Sequence, residues 1–290
     1  MKKLIVLAII GFSAQLIDGS LGMAYGVTST SLLLAFGVAP AFASASVHLA
    51  EVVTTAASGI SHMKWGNIDR GLVKGLMIPG TVGAFLGACF LSRLPGQLVK
   101  PYVAAFLFCL GAYVLSRFLF WEKKQKQPRQ QKAGRWLLPL GFVAGFADST
   151  GGGGWGPLTT PVLLAKDGME TRKVIGSVDT CEFAIATAAT LGFFISLGWD
   201  AVIWPWVIAL MIGGIVAAPI AAWLVHIIPS HLLGVMVGGL ILFTNTQILV
   251  KSIPAVTPFW PWIYAGIGLV WAASFVYALW IHRGKQRGEG

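Results

Sequence analysis

The chain has 290 residues, of which 56% are hydrophobic and 11% are charged, and its net charge is +10. Soluble domains carry about 25% charged residues, so this composition excludes an ordinary soluble protein. Together with several apolar runs of about 20 residues, it predicts an all-α polytopic membrane protein in contact with the lipid bilayer. The basic residues gather in a few loops between apolar runs, which indicates membrane topology and no nucleic-acid partner.

Residue patterns typical of enzymes and metal sites are missing from the sequence. Cys89, Cys109 and Cys181 lie in apolar segments without pairing or metal-ligand spacing. We find no serine-hydrolase elbow, no zinc-protease motif and no nucleotide-binding loop. We therefore expect no catalytic residue, no metal and no cofactor, and no ATP-driven pump in this chain.

Two parts of the chain are similar to each other. Residues 11–35 align with residues 141–165 at an offset of 130, and ten of the 25 positions are identical. After short insertions, Glu51 matches Glu182 and residues 76–78 match residues 210–212. In the same alignment, His48 lies opposite Asp179. We therefore predict one membrane domain made of a first repeat (1–120), a basic linker (121–135), a second repeat (136–252), and an extra transmembrane helix with a basic tail (253–290).

Each predicted repeat begins with two short apolar segments on either side of a polar break. Neither member of such a pair is long enough to cross a hydrocarbon core of about 30 Å alone. The first repeat has 4–17 and 27–36 around the break 18–26, and the second has 136–147 and 157–166 around 148–156. The long segments are 40–63, 70–91 and 97–120 in the first repeat, 172–196, 201–227 and 231–250 in the second, and 257–281 at the C-terminal end.

The second break reads D-S-T-G-G-G-G-W-G-P from Asp148 to Pro157. Glycine costs about 1 kcal/mol per helical position, and close helix packing needs a glycine only every fourth residue, as at Gly83 and Gly87. Unwound backbone and helix N-termini suit an anion, so we predict a site for a small anion between the two breaks. The candidate substrate-binding residues are Ser20, Gly22, Met23, Tyr25 and Gly26 in the first break, and Thr150, Gly151, Gly152, Gly153, Gly154, Trp155 and Gly156 in the second.

Five of the eleven acidic residues lie inside the repeats at membrane depth. A charge at mid-bilayer costs at least about 2.5–3.5 kcal/mol, so such residues face a cavity or a partner. The candidate coupling or gating residues are Asp18, Asp148, Glu51, Glu182, His48 and Asp179. A structural alternative stays open, in which Asp18 and Asp148 cap the short helices that follow and Glu51 and Glu182 tie helices together. The polar run T-N-T-Q (244–247) either lines the same cavity or ties helices.

The distribution of basic residues favours one topology. If each broken pair is a re-entrant hairpin, the two repeats are inverted, and the linker and the C-terminus share the cytoplasmic side. Five basic residues then lie outside, namely Lys2, Lys3, Arg93, Lys100 and Lys251. If each pair crosses once, the repeats run parallel and eight basic residues lie outside. We therefore predict inverted repeats, each with a re-entrant pair and three transmembrane helices, although Lys2 and Lys3 argue against an external N-terminus.

Both breaks contain D-x-x-x-G-x-x-x-G, and the second reads D-S-T-G-G-G-G-W-G. This duplicated unit resembles the sulfite exporter TauE/SafE family, also called the toluene sulfonate uptake permease family, over essentially the whole chain. The resemblance implies a permease of the bacterial inner membrane for a small sulfur-containing or carboxylate anion, such as sulfite, a sulfonate or sulfoacetate. It implies a glycine-rich loop at Asp148 and 151–154. Leu21, Met23 and Ala24 replace glycines in the first half, so the two half-sites are unequal.

We therefore expect a secondary transporter with a small anionic substrate, in which the inner acids are compatible with proton coupling. Two other classes stay open: a passive anion channel, and an intramembrane enzyme that uses Asp18 and Asp148 as a catalytic pair. A homodimer is compatible with the sequence. The sequence leaves the direction of transport and the coupling ion undetermined.

Overall fold

The computed structural model describes residues 2–21, 23–120, 134–165, 170–199, 202, 204–224 and 230–288, and the regular elements within them are helical. The first half contains α1 (Lys2–Leu21), α2 (Tyr25–Ala35), α3 (Pro40–Lys64), α4 (Arg70–Ser92) and α5 (Gly96–Phe120). The second contains α6 (Leu137–Gly151), α7 (Trp155–Ala165), α8 (Thr171–Leu197), α9 (Trp204–Leu224) and α10 (Ser230–Ser252). A short 3₁₀ turn (Thr257–Phe259) leads into α11 (Trp260–Gly288). Most of the predicted linker 121–135 lies outside the described residues.

Several helices are long and apolar enough to cross a membrane. Within the described residues there are five such stretches: Arg70–Ser92, Gly96–Phe120, Arg172–Leu197, Gly234–Ser252 and Thr257–Ile281. Trp204–Ala218 is a shorter apolar helix. α3 is not among them, because it carries His48, Glu51 and several hydroxyl side chains that are buried inside the protein. The chain is therefore an all-α, multi-pass membrane protein.

The breaks in the helices are shorter than the sequence predicts. α1 continues through Asp18 to Leu21, and α6 continues through Asp148 to Gly151. The N–H groups in the last turn of a helix donate to carbonyls one turn earlier. The last turn of α6 can therefore form up to Gly151, and the glycine run interrupts the helix only after it. Gly152, with φ 70°, caps the helix, and the N–H groups of Gly152 and Gly153 both donate to the Asp148 carbonyl. The second break is thus confined to residues 152–154.

The closest helix contacts run between the two halves of the chain. α4 packs extensively on α6, where the backbone at Gly83 lies against the Phe142 carbonyl. This contact confirms the predicted role of the Gly83–Gly87 spacing. α1 packs in the same way on α9, and a Cβ at Gly11 would overlap the Leu210 carbonyl. Each interface joins a break-forming helix to the fourth helix of the other half. At one interface a glycine of α4 meets a carbonyl of α6, and at the other a glycine of α1 meets a carbonyl of α9.

α3 and α8 form the centre of the protein. They pack on each other, and α3 also contacts α9 and α2, while α8 contacts α4 and α7. α5 pairs with α10, and α11 packs mainly on α10 at the edge. Only 11% of the apolar window of α11 is buried, which suits a helix that faces lipid. This arrangement encloses the two breaks between α3, α5, α8 and α10.

Candidate functional site

The two breaks touch each other inside the protein. A Cβ on Gly26 would stand 2.8 Å from Gly153 Cα, and a Cβ on Gly153 would overlap the Val27 nitrogen. Thr30 Oγ1 donates a hydrogen bond to the Gly152 carbonyl. The first turn of α2 therefore lies directly on the backbone of the second break, and glycine permits this approach because it has no side chain.

Each break is bridged by the aspartate that precedes it. Asp18 Oδ1 accepts a hydrogen bond of 3.3 Å from the Tyr25 N–H, and Asp148 Oδ1 accepts one of 2.9 Å from the Trp155 N–H. A carboxylate is favourable at a helix N-terminus, where N–H groups lack partners and the helix dipole is positive. The geometry therefore gives both aspartates the capping role that the sequence left open. In this conformation they occupy N–H groups that we expected an anion to use.

Asp148 also joins the second break to α3 of the first half. Its Oδ2 lies 3.0 Å from His48 Nε2, and both side chains are buried. His48 Nδ1 lies 2.8 Å from the Ser44 carbonyl, so both ring nitrogens face oxygen acceptors, which suits the doubly protonated ring. Ser44 Oγ donates to the Ser149 carbonyl at 2.7 Å. Sequence reasoning missed Ser44, which lies one turn before His48 on the same face of α3.

Asp18 joins the first break to α8 in a related way. Oxygen atoms of Asp18, Asp179 and Glu182 all lie within 4.8 Å of one another, and the three side chains are buried. Asp179 Oδ2 lies 3.7 Å from His62 Nε2. Glu51 Oε1 would stand 3.0 Å from a Cβ on Gly26, so this acid lies against the first break.

The structure thus brings the six candidate coupling residues to the two breaks in two crossed groups. Each group combines the aspartate of one break with residues of the third helix of the other half. The groups are Asp148 with His48, and Asp18 with Asp179 and Glu182; Glu51 follows His48 by three residues on α3 and lies against Gly26, where the two breaks touch. The sequence alignment relates the members of one group to those of the other.

The aligned aromatic residues Tyr25 and Trp155 have different environments. Both are buried, at 1% and 0% exposure. The Trp155 indole N–H donates to the Val178 carbonyl at 2.9 Å, which anchors α7 to α8. The Tyr25 hydroxyl has no hydrogen-bond partner within the described residues. Trp155 therefore anchors α7 to α8, whereas no such anchoring bond is present for the Tyr25 hydroxyl among the described residues.

Further buried hydroxyls near the breaks are also unpartnered within the described part of the chain. Thr28 and Ser29 follow Tyr25 on α2, and Ser149 stands in the last turn of α6. Thr150, in contrast, uses its hydroxyl on the Phe146 carbonyl of its own helix. Hydroxyl groups can donate hydrogen bonds to an anion, so Thr28 and Ser29 keep a donor that the capped N–H groups no longer have, whereas Ser149 faces Gly87 of α4.

Two further residues near the breaks, Phe106 and Arg117, were not among the candidates from the sequence. The Phe106 ring lies where a Cβ on Gly151 would stand, and it contacts the glycine run from α5. Arg117 Nη1 lies 4.0 Å from the sulfur of the buried Met23. Arg117 could have been found from the sequence, because it is a basic residue inside the predicted apolar segment 97–120. Gly22 and the side chain of Ser20 lie outside the described residues.

The polar run 244–247 contains a tie between helices. The Asn245 amide donates to Ser31 Oγ at 2.7 Å and to the Ile241 carbonyl at 2.8 Å. Thr244 and Thr246 donate to carbonyls one turn earlier on α10. For Asn245, the geometry favours the structural alternative over the cavity lining.

Comparisons with known proteins point to one family. A family model described as "Sulfite exporter TauE/SafE" matches residues 7–248. The chain is 60% identical over 283 residues to the probable membrane transporter protein YtnM of Bacillus subtilis (strain 168), covering 96% of this chain and 93% of that protein. It is 26% identical over 212 residues to the probable membrane transporter protein YdhB of the same organism, covering 72% and 84%. No solved structure matches the chain.

These matches confirm the resemblance seen in the glycine-rich breaks, and they name membrane transporters and not enzymes. The chain therefore belongs to the sulfite exporter TauE/SafE family and is a multi-pass membrane transporter.

Proposed function

We propose that this protein is a secondary transporter that moves a small sulfur-containing or carboxylate anion, such as sulfite, a sulfonate or sulfoacetate, across the bacterial inner membrane. The substrate site lies where the two breaks meet. The observation that carries the proposal is the set of buried hydroxyls without partners in the described residues at the start of α2, on Tyr25, Thr28 and Ser29. The description of the matching family, which names sulfite, supports the substrate class.

An anion at this site is held by neutral donors and one nearby cation. The hydroxyls of Tyr25, Thr28 and Ser29 stand on the first two turns of α2, whose N-terminus carries a partial positive charge. Arg117, on α5, brings a guanidinium close to Met23 at the other side of the first break. A planar guanidinium suits the oxygens of a sulfite, sulfonate or carboxylate group. The backbone N–H groups contribute only where the aspartates release them.

The contact between Gly26 and Gly153 leaves no room for a ligand between the breaks, so the structure fits an occluded conformation. Binding from either side of the membrane then requires the breaks to move apart. Alternating access by movement of one helix group against another supplies this motion.

The proposed topology is that of inverted repeats with re-entrant broken pairs, and with the linker and C-terminus in the cytoplasm. The contacts of Gly11 with Leu210 and of Gly141 with Leu76 support the duplication, because the alignment relates both members of one contact to both members of the other. The distribution of basic residues supports the inversion.

Proton coupling is assigned to Asp148, His48 and Glu51. The His48–Asp148 pair spans the two halves at 3.0 Å, so a change in its protonation acts directly on the contact between α3 and the second break. Replacing His48 by Gln is expected to abolish proton-driven uptake while counterflow exchange of substrate across the membrane continues. Equal losses of both activities would contradict the coupling role.

Ligand binding by purified protein tests the substrate site. Sulfite, thiosulfate, a set of sulfonates and short carboxylates are screened for a rise in the unfolding temperature Tm. The Ser29→Ala and Thr28→Val variants remove single donors with little change in volume, and both are expected to lose most of the rise produced by the best anion. Ser61→Ala is the matched control, because this exposed serine bonds only to the carbonyl one turn earlier. Unchanged anion responses in both site variants would refute the assignment.

Flux through proteoliposomes tests the transport class. Uphill accumulation of the radiolabelled anion under an imposed ion gradient is expected for a secondary transporter. With the membrane potential held at zero, net flux that stops when the anion concentrations are equal on both sides would identify a channel. Reversing the gradient then shows whether the protein imports or exports.

A further inference from the structure

The acidic group at the first break lacks a complete charge partner among the described residues. Oxygen atoms of Asp18, Asp179 and Glu182 lie within 4.8 Å of one another. The three residues are exposed by only 2%, 2% and 7%. Carboxylates held so closely and away from water repel one another strongly unless protons or a bound cation neutralise them.

Two unpartnered groups point to a ligand at this place. Asp179 Oδ2 is buried and has no hydrogen-bond partner within the described residues, and His62 Nε2 stands 3.7 Å away. Gln15, which is 1% exposed, lies three residues before Asp18 on the same face of α1, and both of its amide atoms are unpartnered in the described part of the chain. The acidic group thus offers a free carboxylate oxygen, and Gln15 stands about one turn earlier on α1, where its Cβ faces Gly214 of α9.

The aligned group at the second break contains its own positive partner. There, His48 occupies the position aligned with Asp179, and its Nε2 lies 3.0 Å from Asp148 Oδ2. The first group has a carboxylate where the second has an imidazole. It therefore has one more acidic group and no imidazole at that position, and protons or a bound cation neutralise it.

We propose that Asp18, Asp179 and Glu182 form a binding site for an inorganic cation, and that this cation is Na⁺. Carboxylate and amide oxygens are the ligands that hard cations prefer. Asp18 stands in the last turn of α1, where the negative end of the helix dipole favours a cation, and ends of broken helices hold Na⁺ in other transporter architectures. Mg²⁺ gives up its water reluctantly, so it does not suit a site this dry.

The proposal rests on the transport proposal only in that the site lies within a transporter. Cation binding is measured without anion and without flux. A failure of the Na⁺ site therefore leaves the transport proposal intact, and a failure of anion transport leaves the cation site testable.

Thermal unfolding of the purified wild-type protein is the first test. The protein is heated in sodium, potassium or choline chloride at equal ionic strength, and with small additions of calcium or magnesium chloride. Na⁺ is expected to raise Tm relative to choline by on the order of 5 °C at saturation, with a smaller effect of K⁺. Equal Tm in sodium and choline, or a rise with the divalent cations alone, would overturn the proposal.

Variants of Asp179 test whether the Na⁺-dependent rise in Tm arises at the acidic group. Asp179→His copies the arrangement at the second break, and Asp179→Asn removes the charge with little change in shape; both are expected to lose the Na⁺-dependent rise. Glu170→Gln is the control, because this partly exposed acid pairs with Arg172 at the start of α8, and it is expected to keep the rise. An undiminished rise in both Asp179 variants would refute the site.

A measurement on the wild-type protein guards against variants that do not fold. Radioactive sodium bound to immobilised protein is expected to be displaced by unlabelled Na⁺ and not by choline. The absence of displaceable binding would refute the proposal without any variant.

Discussion

Replacing Gly153 by alanine tests the contact between the two breaks. Gly153 has φ 149°, a conformation that residues with a side chain rarely adopt, and a Cβ there would overlap the Val27 nitrogen of α2. The dihedral strain costs about 1–3 kcal/mol, and the overlap adds a further cost of about 1–3 kcal/mol. We expect a total loss of about 2–6 kcal/mol in the free energy of unfolding, together with loss of transport.

The neighbouring glycines provide graded controls for this substitution. A Cβ on Gly154 would make an ordinary contact of 3.4 Å with the Phe106 ring, so Gly154→Ala is expected to have a small effect. Gly266, on α11, has no atom within 4 Å of the position that a Cβ would take, and Gly266→Ala is expected to be neutral or slightly stabilising. The three variants make the same chemical change and differ only in what the new methyl group meets.

The assay is thermal unfolding of purified protein followed by intrinsic fluorescence, with flux in proteoliposomes as the second measurement. On the scale of about 2–4 °C per kcal/mol, Gly153→Ala is expected to lower Tm by at least about 4 °C relative to Gly266→Ala. If the two variants have the same Tm and the same flux, the backbone of the second break does not pack on α2 in the folded protein, and the reasoning about a closed site fails.

Three further substitutions test the contacts around the breaks by their effect on Tm. Trp155→Phe removes the indole hydrogen bond to α8 and leaves a small cavity, so it is expected to lower the free energy of unfolding by about 1–3 kcal/mol. Trp262→Phe is the control and is expected to cost little, because Trp262 is 80% exposed. Equal losses of stability in the two variants would contradict the anchoring role. Asn245→Leu removes the donor to Ser31 and is expected to cost about 1–3 kcal/mol, and an unchanged Tm would show that this tie between α10 and α2 is unimportant. Asp148→Ala is expected to lower Tm more than Asp148→Asn, which keeps an oxygen acceptor for the helix cap, and the reverse order would contradict capping.

The sequence predicted most helices and the place of both breaks, because hydropathy and glycine content report these features directly. It placed the ends of α1 and α6 too early, before Asp18 and Asp148. Local propensity penalises an acid and glycines in an apolar helix. Helix propensity does not account for a carboxylate that reaches across the break and caps the next helix at a residue seven positions later.

The alignment predicted which polar residues are equivalent, but not which of them meet. His48 and Asp179 are equivalent by sequence, yet each lies beside the aspartate of the other half. Tertiary partners on different helices leave no periodic signal in a single sequence, so the crossed pairing of the halves required the three-dimensional structure. Ser44 and Phe106 were missed for the same reason, since a serine and a phenylalanine in apolar helices have no distinguishing pattern.

The packing of the helices limits which groups can move as rigid bodies during transport. The glycine contacts of α1 with α9 and of α4 with α6 bring backbone against backbone, and such interlocked surfaces cannot slide without overlap. The contacts between α3 and α8, and between α3 and the second break, are instead largely polar or made by small side chains. We propose that α1, α2, α3 and α9 rock against α4, α6, α7 and α8, and that the backbone contact between Gly26 and Gly153 opens by separation and not by sliding. This differs from a movement of one sequence repeat against the other.

Disulfide crosslinks distinguish these two movements in protein whose three native cysteines are replaced. Cysteines at Gly59 and Thr180 join α3 to α8, where a Cβ on Gly59 would stand 3.7 Å from Thr180 Cα. Cysteines at Gly75 and Leu137 join α4 to α6, with the two Cβ positions 3.2 Å apart, close to the spacing of about 3.5–4.5 Å that a disulfide needs. We expect oxidation of the first pair to stop flux and reduction to restore it, whereas oxidation of the second pair leaves flux largely unchanged, because it joins helices that move together. Loss of flux on oxidation of each of the two pairs would show instead that the two sequence repeats move against each other, because both pairs join one repeat to the other.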